Sequence, residues 1–176
     1  MARVPYRGPD EVDEQHRDYV VSSLQPGKPI NVYAAVANNE EVLAGLRAFL
    51  SSLLDSSGLT DREREIVILT AAAEAGNTYE WHQHVNIAGS EALSLAELAA
   101  IADDDTDPFD DAEVALQEYA RAVVTGGVTD EIHDALIATF DNRQIAGAAA
   151  TAAGYLALGR MIEAFGVEIE PDGELL

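Results

Sequence analysis

Helix start signals recur along this chain of 176 residues and constrain its fold more than any other feature. In a capping box, a residue that caps a helix is followed three positions later by Glu or Gln, and each side chain bonds to the backbone N–H of the other residue. Apolar residues with helical spacing follow five such pairs, and strand-type alternation is scarce. The sequence therefore predicts an all-α fold. The five pairs are Thr60/Glu63, Asn77/Glu80, Ser94/Glu97, Asp110/Glu113 and Asp141/Gln144.

The whole chain, 1–176, is predicted to form a single helical domain with its core at about 40–165. The first 30 residues are expected to form a polar helix over 10–23 and a turn, and residues 168–176 a frayed tail. Further helices are predicted over the ranges 31–37, 40–54, 61–75, 78–89, 95–102, 111–125, 130–140 and 142–165.

The chain carries a formal net charge of -22, from 32 acidic and 10 basic residues. Hydrophobic residues make up 48% of the chain, which excludes a disordered acidic tail. Without a basic patch, we expect neither nucleic acid nor an anionic membrane as a partner. Carboxylate excess suits high salt, because at about 1 M the screening length falls to roughly 3 Å and self-repulsion largely disappears. We therefore expect a halophilic source.

The chain has no cysteine, which excludes disulfides, thiolate metal sites and cysteine nucleophiles. Its first residues have no apolar core typical of a signal peptide. The longest uncharged stretch near the C-terminus, 144–159, is too short and too polar to span a bilayer. We therefore expect a cytoplasmic protein.

Two neighbouring predicted helices carry the residues most suited to chemistry. Glu80 and His84 lie four positions apart and so share one helix face. If the two helices form a hairpin around Gly76, Glu65 and His84 lie roughly 16 and 12 Å from the turn, close enough for their side chains to approach. A carboxylate and an imidazole at the edge of a buried helical pair can transfer protons, or can bind a metal.

Structural interpretations of the same residues remain open. Asn77 and Glu80 can serve mainly as a capping box, and Glu80 with His84 as a simple pair of charges one turn apart. Trp81 suits core packing. The acidic neighbours of His16 and His133 predict that both histidines lie on the solvated surface.

The spacing around these residues resembles a known pattern. Glu65, eleven residues, Asn77-x-x-Glu80, three residues, His84 and then Ala88 is similar to the signature of the carboxymuconolactone decarboxylase and alkylhydroperoxidase-D-like family. That signature has Cys-x-x-Cys where this chain has Asn77 and Glu80. The string Tyr79-Glu80-Trp81-x-x-His84 resembles one branch of the family. The resemblance implies an alkylhydroperoxidase-D-like helical bundle and a homo-oligomer, commonly a trimer or hexamer.

In thiol-active members of this family, the two cysteines reduce peroxides or partner disulfides while the Glu and the His relay protons. This chain has neither cysteine, so the resemblance implies no thiol peroxidase activity. It leaves a cofactor-independent acid/base enzyme, without a metal, that acts on a small carboxylated or carbonyl substrate. His84 would stabilise charge on a substrate oxygen, Glu65 would move the proton, and Glu80 would orient His84 or act as a second carboxylate. The residues expected to bind substrate are Arg62, Asn77, Tyr79 and Trp81, with Arg62 as the positive group for an anionic substrate.

Two alternatives remain open. The chain can be a non-catalytic oligomeric scaffold or binding protein that has lost the thiol chemistry. It can also hold a metal at Glu65, Glu80 and His84, since oxygen and imidazole ligands suit Mn, Fe or Zn.

Overall fold

The computed structural model describes residues 1–21 and 30–170, and for 88–91 the backbone alone. Within these residues the protein is helical and forms no β-strand, which confirms the all-α prediction. Two 3-10 helices, Pro9–Glu11 and Glu14–Tyr19, come first. The α-helices that follow are α1 Asn31–Val36, α2 Glu40–Ser56, α3 Asp61–Glu74, α4 Thr78–Glu91, α5 Leu95–Asp103, α6 Asp111–Thr125, α7 Asp130–Ile137 and α8 Asn142–Phe165.

Four of the five predicted capping boxes form in full. In each of them the capping side chain accepts from the backbone N–H of the Glu or Gln, whose own side chain accepts from the backbone N–H of the capping residue. This reciprocal bonding satisfies backbone donors that have no partner inside the helix. The four boxes are Thr60/Glu63, Ser94/Glu97, Asp110/Glu113 and Asp141/Gln144.

The predicted N-terminal helix over 10–23 is wrong. Asp13 adopts an extended ψ of 146° between the two 3-10 helices, and the bonds there span three residues, as from His16 N–H to the Asp13 carbonyl. The rest of that predicted helix, and the turn after it, fall on residues 22–29 and lie outside the described residues.

The chain end differs from the expected frayed tail over 168–170. Glu170 is buried, and its carboxylate accepts from the backbone N–H of Asn31 at 2.7 Å. The Glu168 carboxylate pairs with the N-terminal ammonium at 2.7 Å. These long-range bonds are not visible in local sequence patterns. Residues 171–176 lie outside the described residues.

The described residues divide into two compact units. The first contains 1–21, 30–52 and 160–170. Its core joins apolar residues of the N-terminal segment to α1 and to the start of α2, and they are Val12, Val20, Ala34, Val36, Ala37 and Leu43.

The second unit, Leu53–Gly159, is built around α3. The run from Ile66 to Leu69 is completely buried, as its apolar sequence predicts. Val67 faces a cluster from α6, α7 and α8 that includes Leu116 and Leu136. Ile66 and Leu69 face a second cluster formed with α4 and α5. Because both flanks of α3 are covered in this region, the polar side chains of Glu65 and Thr70 are taken out of water.

Helix α8 is long and apolar enough, by length and composition, to cross a membrane. More than half of its most apolar window, 56%, is buried inside the protein, as in the core helix of a soluble domain. The uncharged stretch 144–159 is shorter than α8, so it underestimated the length of the apolar helix. The cytoplasmic location stays a prediction.

Two helical glycines provide a matched test of this packing. A methyl group at Gly147 in α8 would overlap the backbone carbonyl of Ser57, whereas one at Gly45 in α2 would meet nothing within 4 Å. We expect Gly147→Ala to lower the free energy of unfolding by about 1–3 kcal/mol. Gly45→Ala should raise it by about 0.5–1 kcal/mol, because alanine favours a helix more than glycine does. Urea denaturation at fixed salt measures both, and equal effects of the two substitutions would refute the close approach at Gly147.

Candidate active site

The turn between α3 and α4 sets the depth of the candidate site. Gly76 adopts a φ of +67°, a left-handed conformation that side chains rarely adopt. The N–H of Gly76 bonds to the Ala73 carbonyl and the N–H of Asn77 to the Ala72 carbonyl, so α3 ends within one turn. α3 and α4 then pack against each other as the predicted hairpin.

This hairpin brings Glu65 and His84 together, as their spacing predicts. Nδ1 of His84 lies 2.8 Å from Oε2 of Glu65. On the other side of the ring, Nε2 lies 3.8 Å from Oε2 of Glu80, which is longer than a hydrogen bond. The exposed fractions of Glu65, Glu80 and His84 are 2%, 4% and 5%. The Tyr155 ring and the imidazole pack in a T-shaped arrangement, with 5.0 Å between the ring centroids.

The two carboxylates determine the charge of His84. Burial, the largest single influence, lowers the pKa of the imidazole, but the charge of Glu65, its hydrogen bond and the charge of Glu80 outweigh burial. The pKa of His84 is therefore raised, and the ring stays protonated to higher pH than a free histidine. A protonated ring donates from both nitrogens, so Nε2 presents an N–H on the side of Glu80.

Asn77 caps the start of α4. Its Oδ1 accepts from the backbone N–H of Glu80 at 3.0 Å. The N–H of Asn77 itself bonds to the Ala72 carbonyl at the end of α3. The carboxylate of Glu80 lies beside His84, so a second acid is present at the buried imidazole.

Next to this trio lies an arginine that sequence reasoning missed. Nε of Arg64 is 3.7 Å from Oε1 of Glu65, and both atoms are buried without a hydrogen bond in the described residues. The guanidinium is held from its other side by the Leu54 carbonyl and the Asp61 carboxylate. The two atoms form an ion pair, and each keeps a hydrogen-bonding position that the described residues do not fill.

Arg62, the positive group expected for an anionic substrate, is engaged elsewhere. Its guanidinium bonds to Glu97 at 2.5 Å and to Glu113 at 2.6 Å. The hydrogen bond from Arg62 is the main reason why the pKa of Glu97 falls to about 2. Both carboxylates belong to capping boxes, so Arg62 ties the starts of α5 and α6 to the start of α3.

Tyr79 and Trp81 flank Glu80 in the sequence of α4. Tyr79 is buried, and Trp81 packs, half-buried, against the cluster of α3, α4 and α5. Trp81 and Asn77 also line a pocket of about 230 Å³ beside Gly76 and Thr78. The structure thus places two of the expected substrate-binding residues at one pocket.

The geometry does not fit a metal held by Glu65, Glu80 and His84. The two carboxylates face opposite nitrogens of one imidazole ring, Nδ1 and Nε2. An ion on either nitrogen would therefore reach one carboxylate and lie across the ring from the other.

The surface prediction for His16 is wrong. His16 is 6% exposed, and its Nδ1 lies 2.8 Å from the Glu40 carboxylate at the start of α2. Packing between segments distant in sequence buries it, which the acidic neighbours along the chain do not reveal. His133 is half-buried, with its ring 6.4 Å from that of Tyr119.

Comparison with known proteins places this site in a family context. Residues 40–122 match the model of the carboxymuconolactone decarboxylase family. The matched segment contains Glu65, Asn77, Glu80 and His84. No curated protein matches the sequence.

Solved structures confirm the alkylhydroperoxidase-D-like fold. An uncharacterized peroxidase-related protein from Ralstonia eutropha JMP134, described as an alkylhydroperoxidase AhpD core, superposes with a TM-score of 0.85 at 20% identity, covering 98% of this chain and 94% of that one. A peroxidase-related protein from Silicibacter sp. TM1040 gives 0.81 at 17% identity, with 92% and 88% covered. The debrominase Bmp8 gives 0.74 at 18% identity, with 82% and 80% covered.

The electrostatics of His84 can be tested by titration. We expect the NMR-detected pKa of the His84 ring to lie above the ordinary value of about 6.5. In Glu65→Gln, the neighbouring charge is lost and burial remains, so the pKa should fall well below the wild-type value. His133→Gln serves as the control and should leave the His84 titration unchanged. A His84 pKa that is insensitive to Glu65→Gln would contradict the ion pair.

The same ion pair predicts how stability depends on pH. Because the folded-state pKa of His84 is raised, the protonated ring adds stability below the unfolded pKa of about 6.5, and this contribution is lost as pH rises through the folded-state pKa. The difference in free energy of unfolding between wild type and His84→Gln should therefore shrink as pH rises above 6.5. Urea denaturation across that range at constant salt measures it, and a difference that grows with pH would contradict the assignment.

Proposed function

We propose that this protein is a cofactor-independent acid/base enzyme that acts on a small carboxylated or carbonyl substrate. The main support is a buried series of contacts in which His84 lies between Glu65 and Glu80. The Glu65 carboxylate holds Nδ1 of the ring, and Nε2 faces the proposed reaction site. Enzymes in which an acid orients a catalytic histidine beside a nucleophile use a similar arrangement.

In this proposal Glu65 takes the orienting role, and Glu80 acts as the second carboxylate. Glu65 is hydrogen-bonded to Nδ1, so it orients His84 and holds its charge. Nε2 and Glu80 then flank the position of a reacting group. As carbon dioxide or a proton leaves a substrate carbon, negative charge moves to the adjoining carbonyl oxygen, and the Nε2 N–H stabilises that oxygen. Where the substrate carbon loses a proton, the Glu80 carboxylate accepts it; where the carbon loses carbon dioxide, Glu80 takes a proton from solvent and passes it to that carbon.

The resemblance to the family supports this assignment. Glu80 stands where thiol-active members carry the second cysteine of their Cys-x-x-Cys motif. A proton relay that ends on a thiol in those proteins ends here on a carboxylate, which transfers protons but supports no disulfide chemistry. The family name includes a decarboxylase, and an acid at this position suits that reaction class.

Arg64 is the proposed binding group for a substrate carboxylate. The buried guanidinium nitrogen Nε of Arg64 lies beside Glu65. The Arg62 guanidinium, by contrast, already donates to the carboxylates of Glu113 and Glu97. A bond from Arg64 to the substrate would use a donor that makes no hydrogen bond in the described residues, although it lies in an ion pair with Glu65.

A non-catalytic scaffold is the second candidate. The near-complete burial of all three residues favours it, because a sealed ion pair contributes to folding without contacting a substrate. The homo-oligomer, the saline source and the cytoplasmic location remain proposals. The exposed apolar side chains of Val42 and Phe49 on α2 are consistent with a contact between subunits.

The enzyme proposal is tested by proton transfer. The wild type should release carbon dioxide from members of a panel of small oxo acids and carboxylated lactones, or exchange their activated protons with solvent deuterium. Glu80→Gln should lower kcat by about 100-fold or more, because the proton carrier is lost. Peroxide should not be consumed with thiol reductants.

Glu118→Gln, an exposed substitution on α6, is the matched control and should retain wild-type rates. Circular dichroism verifies that each variant is folded. Wild-type rates in Glu80→Gln would refute the role of Glu80. A folded wild type that is inert on the whole panel would favour the scaffold.

A further inference from the structure

A second cluster of ionisable side chains lies in the first unit, independent of the proposed active site. Asp13 and His16 belong to the N-terminal segment, and Glu40 begins α2. One ligand atom of each residue lies within 4.8 Å of those of the other two. Among the described residues, this is the one set of three His, Asp or Glu side chains that converges so closely.

The backbone holds this cluster in place. Oε2 of Glu40 accepts from the backbone N–H of Asp13 at 2.9 Å and lies 2.8 Å from Nδ1 of His16. His16 is more than nine-tenths buried, whereas the Asp13 side chain is exposed. The imidazole is thus fixed by packing, and the site opens to solvent on the side of Asp13.

The distances match those between two ligands of one metal ion. Ligand atoms bound at about 2.0–2.2 Å and roughly 90° apart lie about 3 Å from each other. The separation of 2.8 Å between Nδ1 and Oε2 is close to that value. In the tautomer protonated on Nε2, the lone pair of Nδ1 points to the same place as the Glu40 carboxylate.

The charges also favour a cation. Two carboxylates that repel each other are held around one ring nitrogen, and a divalent ion between them would remove that repulsion. Arg7 is near enough to lower the pKa of Glu40, although the hydrogen bond from His16 is the larger cause. The Arg7 guanidinium also donates to the Glu11 carbonyl, so part of its hydrogen-bonding capacity is used outside the cluster.

We propose that Asp13, His16 and Glu40 bind one divalent first-row transition-metal ion, which fastens the N-terminal segment to the start of α2. One imidazole and two carboxylates suit Zn²⁺, Mn²⁺ or Co²⁺, whereas Mg²⁺ and Ca²⁺ prefer oxygen ligands alone. Three protein ligands leave the remaining coordination positions to water.

Co²⁺ binding to the full, untagged chain tests this proposal. A large excess of Mg²⁺ occupies the acidic surface. Isothermal titration calorimetry then measures the stoichiometry and affinity of Co²⁺ binding, and the visible absorption of Co²⁺ reports ligation by imidazole. The wild type should bind one Co²⁺ per chain, and Zn²⁺ should displace it and raise Tm. His16→Gln should weaken binding by at least about tenfold.

Asp13→Asn changes an exposed side chain that makes no capping hydrogen bond in the part of the chain that the structure describes. It should weaken Co²⁺ binding several-fold with an unchanged Tm in the absence of metal. Glu41→Gln, the exposed neighbour of Glu40, and His133→Gln are matched controls and should bind Co²⁺ as the wild type does. No stoichiometric Co²⁺ binding by the folded wild type would overturn the proposal. So would equal affinities of wild type, His16→Gln and Asp13→Asn, which would assign the ion to the acidic surface.

Discussion

The buried hydrogen bond between Glu65 and His84 is the interaction on which the second unit depends. Taking either charge out of water alone is costly, and breaking a buried ion pair costs about 3–5 kcal/mol. The pair therefore fixes how α3 and α4 lie against each other, since both residues must reach the same depth in the hairpin. The short turn at Gly76 provides that alignment.

The direction of this bond also determines the chemistry available to the site. Because Glu65 takes Nδ1 of His84, the remaining N–H faces Glu80. The carboxylate of Glu80 lies there because Glu80 comes one helical turn before His84 on the same face of α4. At the position where thiol-active members of the family that the sequence resembles carry a cysteine, this chain thus carries a carboxylate beside the imidazole of His84.

Local patterns predicted most of the helices and the main contact of the site. Capping boxes marked the starts of α3, α5 and α6, and the spacing of Glu65, Gly76 and His84 predicted their approach. Local patterns could not show which arginine, Arg62 or Arg64, lies beside Glu65. The two lie on different faces of α3, and only the fold shows that Arg62 meets the acids of α5 and α6 while Arg64 lies beside Glu65.

Contacts between distant segments account for the other differences. The acidic neighbours of His16 along the chain suggest a solvated side chain, but the start of α2 covers it and supplies Glu40. Likewise, the apparent tail at 168–170 is held by Asn31 and by the N-terminus. Periodicity and capping describe one helix at a time, so they contain no information on these pairings.

In the proposed mechanism, Nε2 of His84 and the carboxylate of Glu80 flank the reacting substrate. A crystal structure at high salt with an unreactive small oxo acid would reveal this arrangement. An oxygen of that acid should lie within about 3.2 Å of Nε2, on the side of Glu80. A structure in which Glu80 itself closes to hydrogen-bond Nε2, with the oxo acid bound elsewhere or not at all, would contradict it.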